Sequence, residues 1–202
     1  MAEISTPVPC LIAGETTSTF RIAPMYLVAF SRLLASAGAD KSPGSYEAKV
    51  RRARIVAQVR AVLPSGAEAP ISSLDVMSLP IPAARALIAA LTEGDGKEGE
   101  ILSGDGDGVA TGPILYKLGV PISASDGSGS AADITELEFH ASTYGQVEDV
   151  LAGTDPVEQT LALLRTVARP PALLMMPTWA IDFVSIADGV KIAEKVLPRF
   201  LG

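Results

Sequence analysis

Leu74-Asp75-Val76-Met77-Ser78-Leu79 and Ile181-Asp182-Phe183-Val184-Ser185-Ile186 share one pattern: large apolar, acid, two large apolar residues, serine, large apolar. Each string runs into an amphipathic stretch, Pro82 to Leu91 or Gly189 to Leu201, that reads as a terminal helix. Ser72 or Ser73 and Thr178 stand where helix N-caps belong, because a hydroxyl there accepts from an unpaired first-turn N–H. One string occurring twice, each time before a helix, points to a repeated unit.

Working back along the chain, the same order of elements precedes each string. A longer helix is predicted from Tyr46 to Leu63, with Ile55, Val59 and Val62 on one face. Its counterpart opens at Asp155-Pro156, an N-cap followed by proline at the first helical position, and turns Val157, Leu161, Leu164 and Val167 inward. Shorter helices come before them, marked by Tyr26, Phe30, Leu33 and Leu34 and by Tyr144, Val147 and Leu151. Strand-like runs lead each half: Val8 to Ala13 and Thr19 to Ala23, then Ile114 to Ile122 and Ile134 to Ala141. Thr92 to Gly112 is rich in glycine and acids without an amphipathic period, which predicts a flexible linker. The fold class expected is α+β, mainly helical, with two related units, each a β-hairpin followed by three to four helices. The first spans 1–91, the linker 92–112 and the second unit 113–202.

Bulk properties narrow the function. Apolar residues make up 48% of the chain and the mean hydropathy is +0.34, too apolar for a mainly disordered protein. A net charge of −7 argues against nucleic acid, whose binders replace counterions with a basic face. Lys49, Arg51, Arg52, Arg54 and Arg60 form a local basic run on one helix; a solvated face is the plainer reading, and an acidic protein the better partner if it docks anything. Cys10 is the single cysteine, so neither an intrachain disulfide nor a cysteine-based zinc site is available. The N-terminus has no secretion signal, and no uncharged apolar stretch has the roughly 18–20 residues of a membrane helix. The expected compartment is the cytoplasm, without membrane partners.

Known chemistry finds little foothold. His140, the one histidine, has no Gly-x-Ser-x-Gly elbow to serve. Asp105-Gly106-Asp107-Gly108 begins like a calcium loop, but Tyr116 falls where a bidentate glutamate is required. No Gly-Lys-Ser/Thr phosphate loop occurs. Asp75 and Asp182 match across the two strings, and helix capping explains them better than an acid pair. The protein is therefore expected to be no enzyme and to need no cofactor or metal. An aromatic-poor core also speaks against a small-molecule regulator, which needs a closed pocket.

Binding surfaces are the remaining candidates. Pro171-Ala172-Leu173-Leu174-Met175-Met176-Pro177-Thr178-Trp179 holds the only tryptophan and two adjacent methionines, side chains that adapt to irregular apolar partners. Leu174, Met175, Met176 and Trp179, with Arg51 and Arg52 on the basic helix, are the candidate partner-binding residues. Filling of the C-terminal core is the competing reading for the apolar four.

From Gly112 onward, a hairpin ending Ile134-Thr135-Glu136-Leu137-Glu138-Phe139 leads through Tyr144 to Ala152, then Asp155-Pro156-Val157-Glu158-Gln159-Thr160-Leu161, and finally Ile181-Asp182-Phe183-Val184 before the last helix. This order resembles the tail assembly chaperones of Mu-like long-tailed phages, whose usual form has Ile-Thr-Glu-Leu near the hairpin and Leu-Asp-x-x-Asp-Phe before the last helix. The chain departs from that form in its length and in Phe183 directly after Asp182. The resemblance implies a cytoplasmic protein that binds the tape measure protein during tail assembly, with the tail tube protein as a further partner and homo-oligomerisation left open. The alternative it leaves is a structural component of the virion, in a tail-completion or baseplate role.

Overall fold

The computed structural model describes residues 2–104, 110, 112–123, 133–141, 143–152, 156–171 and 176–201. The chain divides into two compact units, one made of Met1–Met25 and Arg32–Asp95, the other of Tyr26–Ser31 and Gly96–Gly202.

The first unit opens with a hairpin of β1 (Ala2–Ile12) and β2 (Glu15–Ile22). Ala13 and Gly14 close it at φ of 52° and 83°, a left-handed turn that the glycine accommodates without a Cβ penalty. β1 bulges between Ser5 and Cys10, which pair with Thr19 and Thr17. Pro7 and Pro9 lie in that bulge, where a missing N–H breaks no ladder bond. Helices α1 (Leu27–Ala39) and α2 (Tyr46–Gln58) follow, then β3 (Val59–Val62), β4 (Glu68–Pro70), α3 (Ser73–Ser78) and α4 (Ile81–Glu93). The antiparallel sheet runs β1-β2-β3-β4. Phe20, Ile22, Val59 and Ala61 from the sheet meet Ile55 of α2 and Leu87 and Leu91 of α4 in one buried cluster.

The second unit contains β5 (Glu100–Ser103), β6 (Ile114–Ile122), β7 (Ile134–Phe139), α5 (Tyr144–Leu151), α6 (Pro156–Val167) and β8 (Ala168–Arg169). It finishes with α7 (Thr178–Ile181), α8 (Ile186–Lys191), a wide π-helical turn (Ile192–Val196) and α9 (Pro198–Leu201). Its antiparallel sheet runs β5-β6-β7-β8. The core joins Tyr116, Leu137 and Phe139 to Leu161 and Leu164 of α6 and to Ile192 and Val196. Leu27 and Val28, from the start of α1, belong to this core as well, and the Leu27 N–H donates to the Val184 carbonyl at 2.9 Å.

The two units repeat specific irregularities. β6 bulges between Lys117 and Ile122, opposite Glu136 and Ile134, with the same spacing as the Ser5–Cys10 bulge opposite Thr19 and Thr17. Val8-Pro9 and Val120-Pro121 occupy the same place in the two bulges. The Ala23 N–H donates to Gln58 O at 2.8 Å, and the His140 N–H to Val167 O at 3.0 Å, each tying the exit of a strand to the end of the second helix. Counting outward from these ties, Ile4 corresponds to Tyr116, Pro7 to Gly119, and Ala83 to Asp188.

The expectation of a mainly helical protein, with each unit a hairpin followed by three to four helices, is overturned by two four-stranded antiparallel sheets. Helix accounts for 45% of the structure. The helix predicted from Tyr46 to Leu63 ends at Gln58, and Val59–Val62 alternate buried and half-buried as strand β3. The β-branched Val59 and Val62 suit an extended chain, and the pairing with β2 decides the local outcome. β8 returns to β7 in the same way after α6. Glu100–Ser103, inside the stretch read as linker, is strand β5.

Candidate partner-binding surface

The basic face of α2 is largely occupied by partners within its own unit. Ser45 caps the helix by accepting from the Ala48 N–H at 3.3 Å. Arg51 reaches Glu47 one turn back at 3.3 Å, and both are exposed, so the pair contributes a few tenths of a kcal/mol. Arg52 is different: it donates to Asp40 Oδ2 at 3.0 Å and to the Ser42 hydroxyl, and its side chain is only 17% exposed. The Ser42 N–H and hydroxyl, and then Arg52, hold the Asp40 carboxyl below its usual range. Arg54 forks onto both oxygens of Asp95 and the Leu91 carbonyl, tying α2 to the end of α4. Gln58 reaches back to the Ala23 carbonyl at 3.1 Å.

Beside Arg52 lies Met77, one of several exposed large apolar side chains that the sequence reading did not single out as a surface. The guanidinium Nη1 approaches Met77 Sδ at 3.6 Å. Met77 is 60% exposed, Leu74 74% and Ile81 71%. The phase of α3 is fixed by a capping box: the Ser72 hydroxyl accepts from the Asp75 N–H at 3.1 Å, while Asp75 Oδ2 accepts from the Ser72 N–H at 2.8 Å. Those two bonds hold the Asp75 carboxyl below its usual range. With that phase, Leu74 and Met77 lie one turn apart and face outward, while Leu79 is buried. The Ser-x-x-Asp box was the available signal: Ser72 and Asp75 were read as capping residues, but the outward phase that the box gives Leu74 and Met77 was not drawn from it.

The Met/Trp string divides. Met176 is buried in the second unit's core and Trp179 is half-buried against it, while Leu174 and Met175 lie outside the described residues. An exposed aromatic does occur nearby in Phe183, whose ring meets Tyr26 edge-on with centroids 5.5 Å apart. Asp75 and Asp182 are not counterparts. Asp75 sits in the third position of α3, whereas Asp182 is the C-cap of α7, and the two helices align from their N-caps at Ser72 and Pro177.

The titratable cluster with the most internal structure is Asp188, fully buried in the second unit. Its Oδ1 accepts from the Gly99 N–H (2.9 Å), the Tyr116 hydroxyl (3.0 Å) and the Gly119 N–H (3.0 Å). Its Oδ2 accepts from the Ser185 hydroxyl (2.8 Å) and the Val120 N–H (3.3 Å). Five donors thus converge on this one buried carboxylate. Burial, then the adjacent Asp188 charge, pushes the Tyr116 hydroxyl far above its usual range. The cluster fastens the β5 approach and the β6 bulge to the start of α8.

Among the described residues no group of three or more His, Cys, Asp or Glu is placed to hold a metal ion. His140 Nε2 lies 3.5 Å from Glu138 Oε2. The Asp105–Gly108 stretch lies outside the described residues, and among the described ones no helix is long and apolar enough to cross a membrane. Comparison with protein-family models, curated proteins and solved structures finds no match to this chain.

Proposed function

We propose that this protein is a non-enzymatic tail assembly chaperone, built from two versions of one unit, that binds the tape measure protein in the host cytoplasm while a phage tail is assembled. The observation that carries this reading is the exposed apolar pair Leu74 and Met77 on α3 of the first unit, with Arg52 touching Met77. A tape measure protein presents long apolar helical faces, and an exposed i, i+3 apolar pair suits such a face better than it suits water. The resemblance of the sequence from Gly112 onward to the chaperones of Mu-like phages supports the same role. The common bulge and the matching strand–helix ties support the repeated unit.

The test is co-purification of the tagged protein from infected-cell lysate and from finished particles. The expected result is a long helical phage protein bound in lysate, little tagged protein in particles, and loss of the complex on Met77→Asp. Stoichiometric protein in finished particles would instead make it a virion component, and capture of no phage protein would end the proposal.

A further inference from the structure

β6 of the second unit is covered along its outer edge by β5, with Glu100 opposite Lys117, Ile101 opposite Tyr116 and Ser103 opposite Leu115. The corresponding strand of the first unit, β1, is an edge strand, paired among the described residues on the β2 side only. Half of that edge is protected against strand addition, because Pro7 and Pro9 lack N–H groups and the bulge breaks its line. The other half, Ala2–Ser5, carries no such protection.

Beneath this open half is a cleft of about 290 Å³, lined by Ala2, Ile4, Ile22, Pro24, Ala90 and Glu93. All of these residues belong to the first unit. In the second unit the Tyr116 ring stands where Ile4 does, and Ile101 of the covering strand packs against the core beside it. Tyr116 and Asp188 also anchor the Gly99 N–H just before β5. In the first unit Ile4 and Ala83 replace those two groups, so the polar anchor is gone, and the cleft beside Ile4 is mostly apolar with Glu93 at its margin.

We propose that Ala2–Ser5 is a strand-addition site that takes an extended segment of a partner protein, with an aliphatic side chain opposite Ile4 entering the cleft. The second unit supplies the precedent: a four-residue segment, aliphatic at the position facing Tyr116, seated on the same edge of the same sheet. A second copy of β1 is a poorer occupant, since one Ile4 cannot wall its own cleft and fill its neighbour's. Main-chain bonds give such a strand its affinity and the cleft gives it selectivity. The inference holds whether or not the partner is a tail protein.

The experiment titrates the full chain, with labelled isoleucine methyl groups, with a capped peptide copying Lys97–Ser103 and with the same peptide carrying aspartate in place of isoleucine. Saturable shifts at Ile4 and Ile22 are expected from the first peptide, with at least tenfold weaker binding of the aspartate peptide. Ile4→Trp, which fills the cleft as Tyr116 does, is expected to abolish the shifts while the remaining spectrum stays folded. The two peptides make the comparison on unaltered protein if that variant does not fold. Absence of shifts at Ile4 and Ile22, equal binding of both peptides, or shifts confined to Ile101 would overturn the proposal. So would the same shifts arising without peptide as the protein self-associates, which would give the edge to a second copy.

Discussion

Single residues decide how each bulge is satisfied. In the second unit the Gly119 N–H is turned onto Asp188; in the first, Pro7 removes the corresponding donor and Ala83 the corresponding acceptor. At this one position donor and acceptor are lost together, as expected where an unpaired buried polar group costs about 1–3 kcal/mol. Asp188→Ala takes the acceptor from the half-buried Gly119 and Val120 N–H groups and from the Tyr116 and Ser185 hydroxyls, and is expected to destabilise the second unit by about 3 kcal/mol, read from urea unfolding. Gly119→Ala gives a comparable loss, because a Cβ there would fall 2.0 Å from the Lys97 carbonyl oxygen. Tyr116 adds a pH dependence with a defined sign. Its folded-state pKa is raised, so its contribution is complete below the unfolded value near 10 and is lost as pH rises above it. Tyr116→Phe should remove that alkaline loss of stability while leaving the acid limb unchanged. Asp75 works in the opposite direction. Its lowered pKa makes its contribution complete above the unfolded value near 3.9 and lost as pH falls through the folded one. In Asp75→Asn the acid limb of a pH–stability titration should be shallower.

At the scale of elements, α3 separates stability from binding. Ser72→Ala removes the cap and is expected to cost about 1 kcal/mol of the first unit's stability. Leu74→Asp and Met77→Asp sit on exposed positions and should change stability by less than about 0.5 kcal/mol while weakening partner capture. A charge at Met176 does the reverse, since it would be buried in the core. The hairpin strands were legible in part because their apolar alternation is local: Thr19 to Ala23 covers the second half of β2 (Glu15–Ile22), and Ile114 to Ile122 coincides with β6. β3, β5 and β8 were not, because each is short and is held by a neighbour far away in sequence rather than by its own pattern. Val59 and Val62 fit a helical face as well as a strand, and only the ladder with β2 separates the two. The proposed binding surface was half legible. Arg52 was read from the sequence, whereas Met77 needed the phase of α3, which one hydroxyl and one carboxylate fix.

At the scale of the whole molecule, chain order and unit order differ. Residues Tyr26–Ser31 count with the second unit although Arg32–Asp95 return to the first. Gly189 shows how closely that excursion is seated: a Cβ on it would fall 2.6 Å from both Leu27 methyl carbons. Gly189→Ala is therefore expected to displace Leu27 and lower the stability of the second unit, with the change visible in the Leu27 methyl resonances. The same seating sets a timetable during synthesis. Leu27 and Val28 leave the ribosome long before Val184 and Gly189 exist, and at roughly 5–20 residues per second the delay is on the order of ten seconds. For that interval the start of α1 has no finished core to enter, and a nascent chain stalled near Asp95 would hold Leu27 and Val28 without their final neighbours. Completion of the second unit is thus a late event that reaches back to residues translated near the beginning.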